Sequence, residues 1–142
     1  MTHSQINEQL IANYHNTHYQ IGTISGLITL RIDHFSQALA EFLLTSHQST
    51  AAIISAYNPH SQSLSSEENQ SAHESLRQHL MQHGHPMIGG LNIDPTGQWP
   101  QEKSFFVLGV DLETARAIGQ HFKQNAIVWI QSDAIPHLVL LR

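Results

Sequence analysis

The chain has 142 residues, 40% of them apolar and only 12% charged, with a formal net charge of −5 when its twelve histidines are neutral. That length predicts one domain over 1–142 with a real core. Six scattered Lys and Arg argue against a basic stripe for gripping nucleic acid, and the lack of cysteine excludes disulfides, thiolate catalysis and Cys zinc sites.

The charged share is about half the usual ~25%, so Gln, Asn, Ser, Thr and His must supply the surface polarity. Near pH 6.5 about half of unperturbed histidines would be protonated. The net charge would then approach zero, and solubility should fall in mildly acidic buffer. The opening "MTHSQINEQL" has no basic n-region and no apolar h-region. No apolar run approaches the ~20 residues of a membrane helix, so the sequence reads as a cytoplasmic protein with no membrane partner.

Ile6, Leu10, Ile11 and Tyr14 fall near helical spacing and predict a first helix over 4–15. In "TISGLITLRI", Ile24, Gly26, Ile28, Leu30 and Ile32 share one face by period two and predict a half-buried strand. "HFSQALAEFLLTSH" places Phe35, Leu39, Phe42 and Leu43 on one helical stripe. "AAIISAY" is short and continuously apolar, as a central strand is.

A helix over 66–83 carries Ala72, Leu76 and Leu80 on one face. Ser65 with Glu68 fits a capping box, and Gly84 stands where a C′ glycine belongs. "PMIGGLNI" is a weaker strand whose glycines suggest a bulge or a close approach. "DPTGQWP" is turn chemistry, and "SFFVLGV" is a second central strand. Asp111 can N-cap a helix that turns Leu112, Ala115, Ile118 and Phe122 to the core. "NAIVWI" and "HLVLL" are the last strands, joined by "QSDAIP". The resulting order is αβαβαββαββ, an α+β fold with a mixed β-sheet and helices packed on it.

Three pieces in series, "YNPHS" with Ser65 and Asn69, "DPTGQWPQEKSFFVLG" and "ARAIGQHFKQNAIVW", resemble a bacterial family known as a domain of unknown function, the one numbered three-two-nine-three. The resemblance covers a core of about 14–130. The residues that match are Asn58, Pro59, Ser61, Asn69, Asp94, Pro95, Trp99, Pro100, Glu102, Ser104, Gln124, Asn125 and Trp129. It implies a small bacterial single-domain protein and supplies no catalytic residues. The stretch "HLMQHGHP" departs from the family pattern, which carries apolar residues and Arg there.

Each candidate site has a plain reading beside the functional one. Asn58-Pro59 after a buried strand is ordinary turn chemistry, yet polar residues at that strand end, with Ser61 and Asn69, stand where α/β sheets bind ligands. Glu67 and Glu68 in the next helix's first turn would repel an anion. Trp99 is either a buried lid with its N–H bonded or part of a site. Glu102 beside it is either a loop lock or a desolvated general acid. Gln124 and Asn125 lie between a helix and a strand, where Asn can take the left-handed C′ position or aim its amide at a ligand.

His79, His83 and His85 have chelating spacing without a completing carboxylate. They predict adventitious metal binding and no physiological metal, and no cofactor motif is present. The leading expectation is a small-ligand or peptide binding and regulatory module built on Asn58, Ser61, Asn69, Trp99, Glu102, Gln124 and Asn125. Its rivals are a hydrolase or transferase with Glu102 or Glu67 as acid/base, and a protein–protein interaction subunit that dimerises through the apolar edge "HLVLL".

Overall fold

Two strands with long buried runs form the middle of the molecule. β3 (Ala51–Ile54) is buried along its whole length, and β5 (Glu102–Leu108) buries Ser104 to Val107 in succession. A strand buried on both faces has no polar alternation, which is why both were legible as continuous apolar runs. The computed structural model describes residues 6–142.

Around these two lie β1 (His18–Thr23), β2 (Gly26–Leu30), β4 (Met87–Ile93), β6 (Ala126–Ile130) and β7 (His137–Leu140). They form one seven-stranded sheet in the order β2-β1-β4-β5-β3-β6-β7. The helices are α1 (Glu8–Asn16), α2 (Gln37–Thr45), α3 (Ser66–Gln82) and α4 (Leu112–His121). The α+β class stands. Every neighbouring pair of strands is antiparallel, so the sheet is not a mixture of parallel and antiparallel pairings.

The sheet has an apolar layer on each side. One contains Tyr19, Ile21, Leu39, Leu43, Ile53, Phe106 and Val128, with Tyr14 of α1 packed against it. The other contains Ile54, Leu76, Leu80, Phe105, Val107, Ala115, Ile118 and Trp129. Helices α1 and α2 therefore cover one face, and α3 and α4 the other.

Local chemistry sets the helix ends. Asn7, Ser36 and Asp111 each accept a backbone N–H three residues on. Ser65 and Glu68 form both bonds of a capping box, and Gly84 takes the left-handed conformation after the end of α3. Gly90 marks a close approach: a Cβ there would meet the Gln20 carbonyl oxygen at 2.6 Å.

Three expectations change. The single strand over "TISGLITLRI" is a hairpin, β1 and β2 joined through Ile24-Ser25, with Ile24 projecting fully into solvent. Gly26, at φ 129°, supplies the backbone conformation that turns the chain. The period-two pattern ran through the turn because it occupies only two residues. Phe35 lies outside α2 and is exposed, so Leu39 and Leu43 carry that helix's buried stripe. The first helix begins at Glu8; its expected residues 4 and 5 lie outside the described residues.

Candidate functional site

Helix α1 does not lie flat on its sheet face. Between its Leu10, Asn13 and Tyr14 and the strand ends below lies a cavity of about 180 Å³. Its floor is one face of neighbouring strands: Tyr19 of β1, Asn92 of β4, Glu102 of β5, Ile53 of β3 with Ser55 just past its end, and Val128 of β6. Pairing explains the row, because Asn92 stands opposite both Tyr19 and Glu102. Residues directly opposite share a face.

The loop after β3 forms one wall. Asn58 sits at φ 47°, followed by His60 at 53° and Ser61 at 60°. Left-handed backbone at non-glycine residues is uncommon, and three within four residues need an external hold. The hold is a hydrogen-bond network. The Asn58 N–H donates to Asn69 Oδ1 at 2.8 Å, and Asn58 Oδ1 accepts from Asn69 Nδ2 at 2.9 Å and from the Leu64 N–H at 3.0 Å. The Leu64 N–H can only donate, so it fixes which end of the Asn58 amide is oxygen. Nδ2 is thereby turned to Glu102 Oε2, at 2.9 Å.

On the other side of the loop, the His60 N–H donates to the Lys123 carbonyl at 2.7 Å, and Gln124 Nε2 donates to the Tyr57 carbonyl at 3.2 Å. Buried Asn125 donates from Nδ2 to Ser61 Oγ at 2.8 Å and accepts from Arg142 at 3.1 Å.

The mouth is shaped by Asp94. Its carboxylate accepts from the backbone N–H groups of Thr96, Gln98 and Trp99 and from the Thr96 hydroxyl. Gly97 completes the turn at φ 73°. Partial desolvation alone would push the Asp94 carboxyl up, but these donors together hold it below its ordinary value. The result is a rigid turn that presents Trp99, 53% exposed, at the rim.

The electrostatics are one-sided. Burial raises the Glu102 carboxyl above the ordinary carboxylate range, against the opposing bond from Asn58. Burial also raises the phenols of Tyr14, Tyr19 and Tyr57, and the Glu102 charge adds to the shift in all three. Polar groups of Ser61 and Asn125 beside the Tyr14 phenol oppose part of that rise. Glu102 and Asp94 line the cavity, and no Lys, Arg or His does among the described residues.

Of the residues singled out from sequence, Asn58, Ser61, Trp99, Glu102, Gln124 and Asn125 all line this one cavity. Asn69 stands behind Asn58 and orients it. Glu67 is exposed on the first turn of α3 and does not line the cavity. Two plain readings fail. Trp99 is not a buried lid, since its ring is half exposed. Asn125 is not the left-handed residue after α4; Lys123 takes that role at φ 57°, which frees Asn125 to point inward.

Sequence reasoning missed Tyr14, Tyr57 and Asn92. Tyr14 looked like a core residue of an amphipathic helix, and Asn92 sits in a weak strand whose register is set by partners distant in sequence.

The histidines also gather. His79 lies 4.3 Å from His83 and 5.5 Å from His121 between ring centroids, and His85 stacks on His83. Among the described residues, no group of three or more His, Cys, Asp or Glu side chains has the geometry to hold a metal.

A family model described as "Protein of unknown function (DUF3293)" matches residues 54–127. The chain belongs to this family. The matched segment runs from the end of β3 to β6, and so contains the Asn58 loop, the Asp94 turn, Glu102 and Asn125. No curated protein and no solved structure matches the chain. Among the described residues, no helix is long and apolar enough to cross a membrane.

Proposed function

We propose that this DUF3293 member is a binding or regulatory module that takes a small polar ligand in the cavity between α1 and the sheet. One observation carries the proposal: side chains from α1, the Asn58 loop, the Asp94 turn, β5 and the α4–β6 connection line one hollow, with their orientations fixed from behind. Such preorganisation costs conformational entropy and gives a partner a rigid surface to recognise.

The size and charge of the hollow narrow the ligand. Its volume is below the ~300 Å³ typical of drug-sized sites and close to the ~150 Å³ of a cavity that holds benzene. A nucleotide or a whole peptide does not fit inside; a ligand of about six to ten heavy atoms, or one side chain of a peptide, does. Two lining carboxylates, with no lining cation among the described residues, favour a neutral or cationic ligand over an anion. The bacterial, cytoplasmic setting belongs to the same proposal, and the cysteine-free composition is compatible with it.

A thermal-shift screen of small amines, polyols, amides and carboxylates, read in parallel by Trp99 emission, tests this. A hit should raise the melting temperature of the parent chain and lose its emission change in Trp99→Phe. No response from any charge class would remove the reading.

A second reading rests on Glu102 itself. A carboxyl raised by burial and held by Asn58 inside a cavity suits a general acid/base, so a hydrolase or transferase is the alternative. Under that reading Glu102→Gln abolishes turnover of a bound ligand while retaining its binding. Strand addition at the sheet edge β7 is the route by which the chain would act as an interaction subunit or homodimer. Light scattering at two concentrations tests it.

A further inference from the structure

One carboxylate oxygen in the cavity is left over. Glu102 uses Oε2 for Asn58, and no donor among the described residues is paired with Oε1, which is not among the fully buried oxygens and so stays open to the hollow. Asn92 of β4 is its direct cross-strand neighbour on the same face of the sheet, with its own Oδ1 buried away from the hollow.

We infer that the cavity is a primary-ammonium site, with a protonated amine on a short aliphatic arm donating to Glu102 Oε1. The inference rests on the small-ligand reading of the same cavity and names its ligand class. An ammonium carries three hydrogens and no acceptor. One meets Glu102 Oε1, and the others face the phenols of Tyr14 and Tyr57, which lie within the field of Glu102. The arm runs out past apolar Leu10 and Pro100 to the exposed ring of Trp99.

A neutral alcohol or amide also donates, but it leaves the Glu102 charge uncompensated. Asp94 adds negative potential at the rim without competing for the ligand's hydrogens, because backbone donors already occupy its oxygens. Lys103, the next residue in β5, is turned to the opposite side of the sheet, where its Nζ bonds Gln70 of α3. It therefore does not fill the place of the ligand cation.

The test uses the full chain and three probes of one size: n-butylammonium chloride, n-butanol and sodium butyrate at equal ionic strength, followed by amide NMR shifts or calorimetry. Butylammonium should bind at least ~10-fold tighter than butanol, with butyrate weakest. Glu102→Gln should bring butylammonium down to the butanol level. The variant is first checked for a native amide spectrum, and if it misfolds the pH dependence of the parent chain decides instead. Butylammonium affinity should also fall as pH is lowered and Glu102 takes up its proton.

Nα-acetyl-lysine methylamide separates the two sources of this chemistry. Tighter binding than butylammonium marks a lysine side chain of a peptide, and weaker binding marks a free amine. Equal binding of butanol and butylammonium, unaffected by Glu102→Gln, overturns the ammonium assignment and leaves a small-ligand site standing. No binding of any probe overturns both.

Discussion

Two polar clusters gather side chains from several segments, and they are built in opposite ways. Around Asn58 and Glu102, each contact is a directional hydrogen bond, the amide orientations are determined, and the groups face a cavity. Around His79, ring centroids lie 4.3 to 6.4 Å apart, and among the described residues the one side-chain hydrogen bond linking these histidines is His83 Nδ1 with the His79 backbone carbonyl. Convergence in space is common to both. What distinguishes a site is that its groups are desolvated, held from behind and left with unused valences facing a hollow.

The largest expected effect breaks the first cluster. Asn58→Ala leaves the Leu64 N–H, Asn69 Nδ2 and Glu102 Oε2 without their partner. At about 1 kcal/mol per bond, it should destabilise the fold by ~3 kcal/mol. Urea unfolding at unchanged m-value measures this, and His79→Ala in the same assay should cost no more than ~1 kcal/mol. Equal losses would erase the contrast. Asn125→Ala comes next, at ~2 kcal/mol, because it frees both Ser61 and Arg142 from that side chain.

The titrations sharpen the comparison because their signs oppose. Glu102 has a raised carboxyl, so between its unfolded and folded values the native state holds more protons than the unfolded state. Native stability from this group falls as pH rises through that window. Glu102→Gln should thus be more stable than the parent at neutral pH, with the difference vanishing below the unfolded carboxyl value. His79 is lowered by burial and then by His83, His121 and His85, so the unfolded state holds more protons. Its contribution is complete above the unfolded histidine value and is lost as pH falls through the window below it. His79→Gln should flatten that acid loss in a pH series of melting temperatures.

The smallest stability effect belongs to Trp99→Ala, within ~0.5 kcal/mol, because the ring is half exposed. The same variant should abolish the ligand-dependent emission change, so a negligible fold effect accompanies a large binding effect.

The legibility of these features in the sequence follows the range of the interactions that make them. The buried strands β3 and β5, the capping box at Ser65 and the cap at Asp111 rest on residues close in sequence, and they read directly. Asn58, Ser61, Trp99, Glu102, Gln124 and Asn125 stood out because each is polar or aromatic at an element end. That they share one hollow depends on the antiparallel order β4-β5-β3-β6, which no local pattern encodes. Asn92 was invisible for the same reason: its meaning comes from facing Tyr19 and Glu102 across two strand pairings. The hairpin at Ile24-Ser25 was hidden by an alternation that continued through a two-residue turn.

Amide shift mapping of the full chain against the best compound of the charge-class screen tests the central claim most directly. Saturable shifts are expected, confined to α1 around Tyr14, the Asn58 loop, the Asp94–Trp99 turn and the facing ends of β4 and β5. Shifts centred on the histidines of α3 and α4, or scattered without saturation, would contradict it.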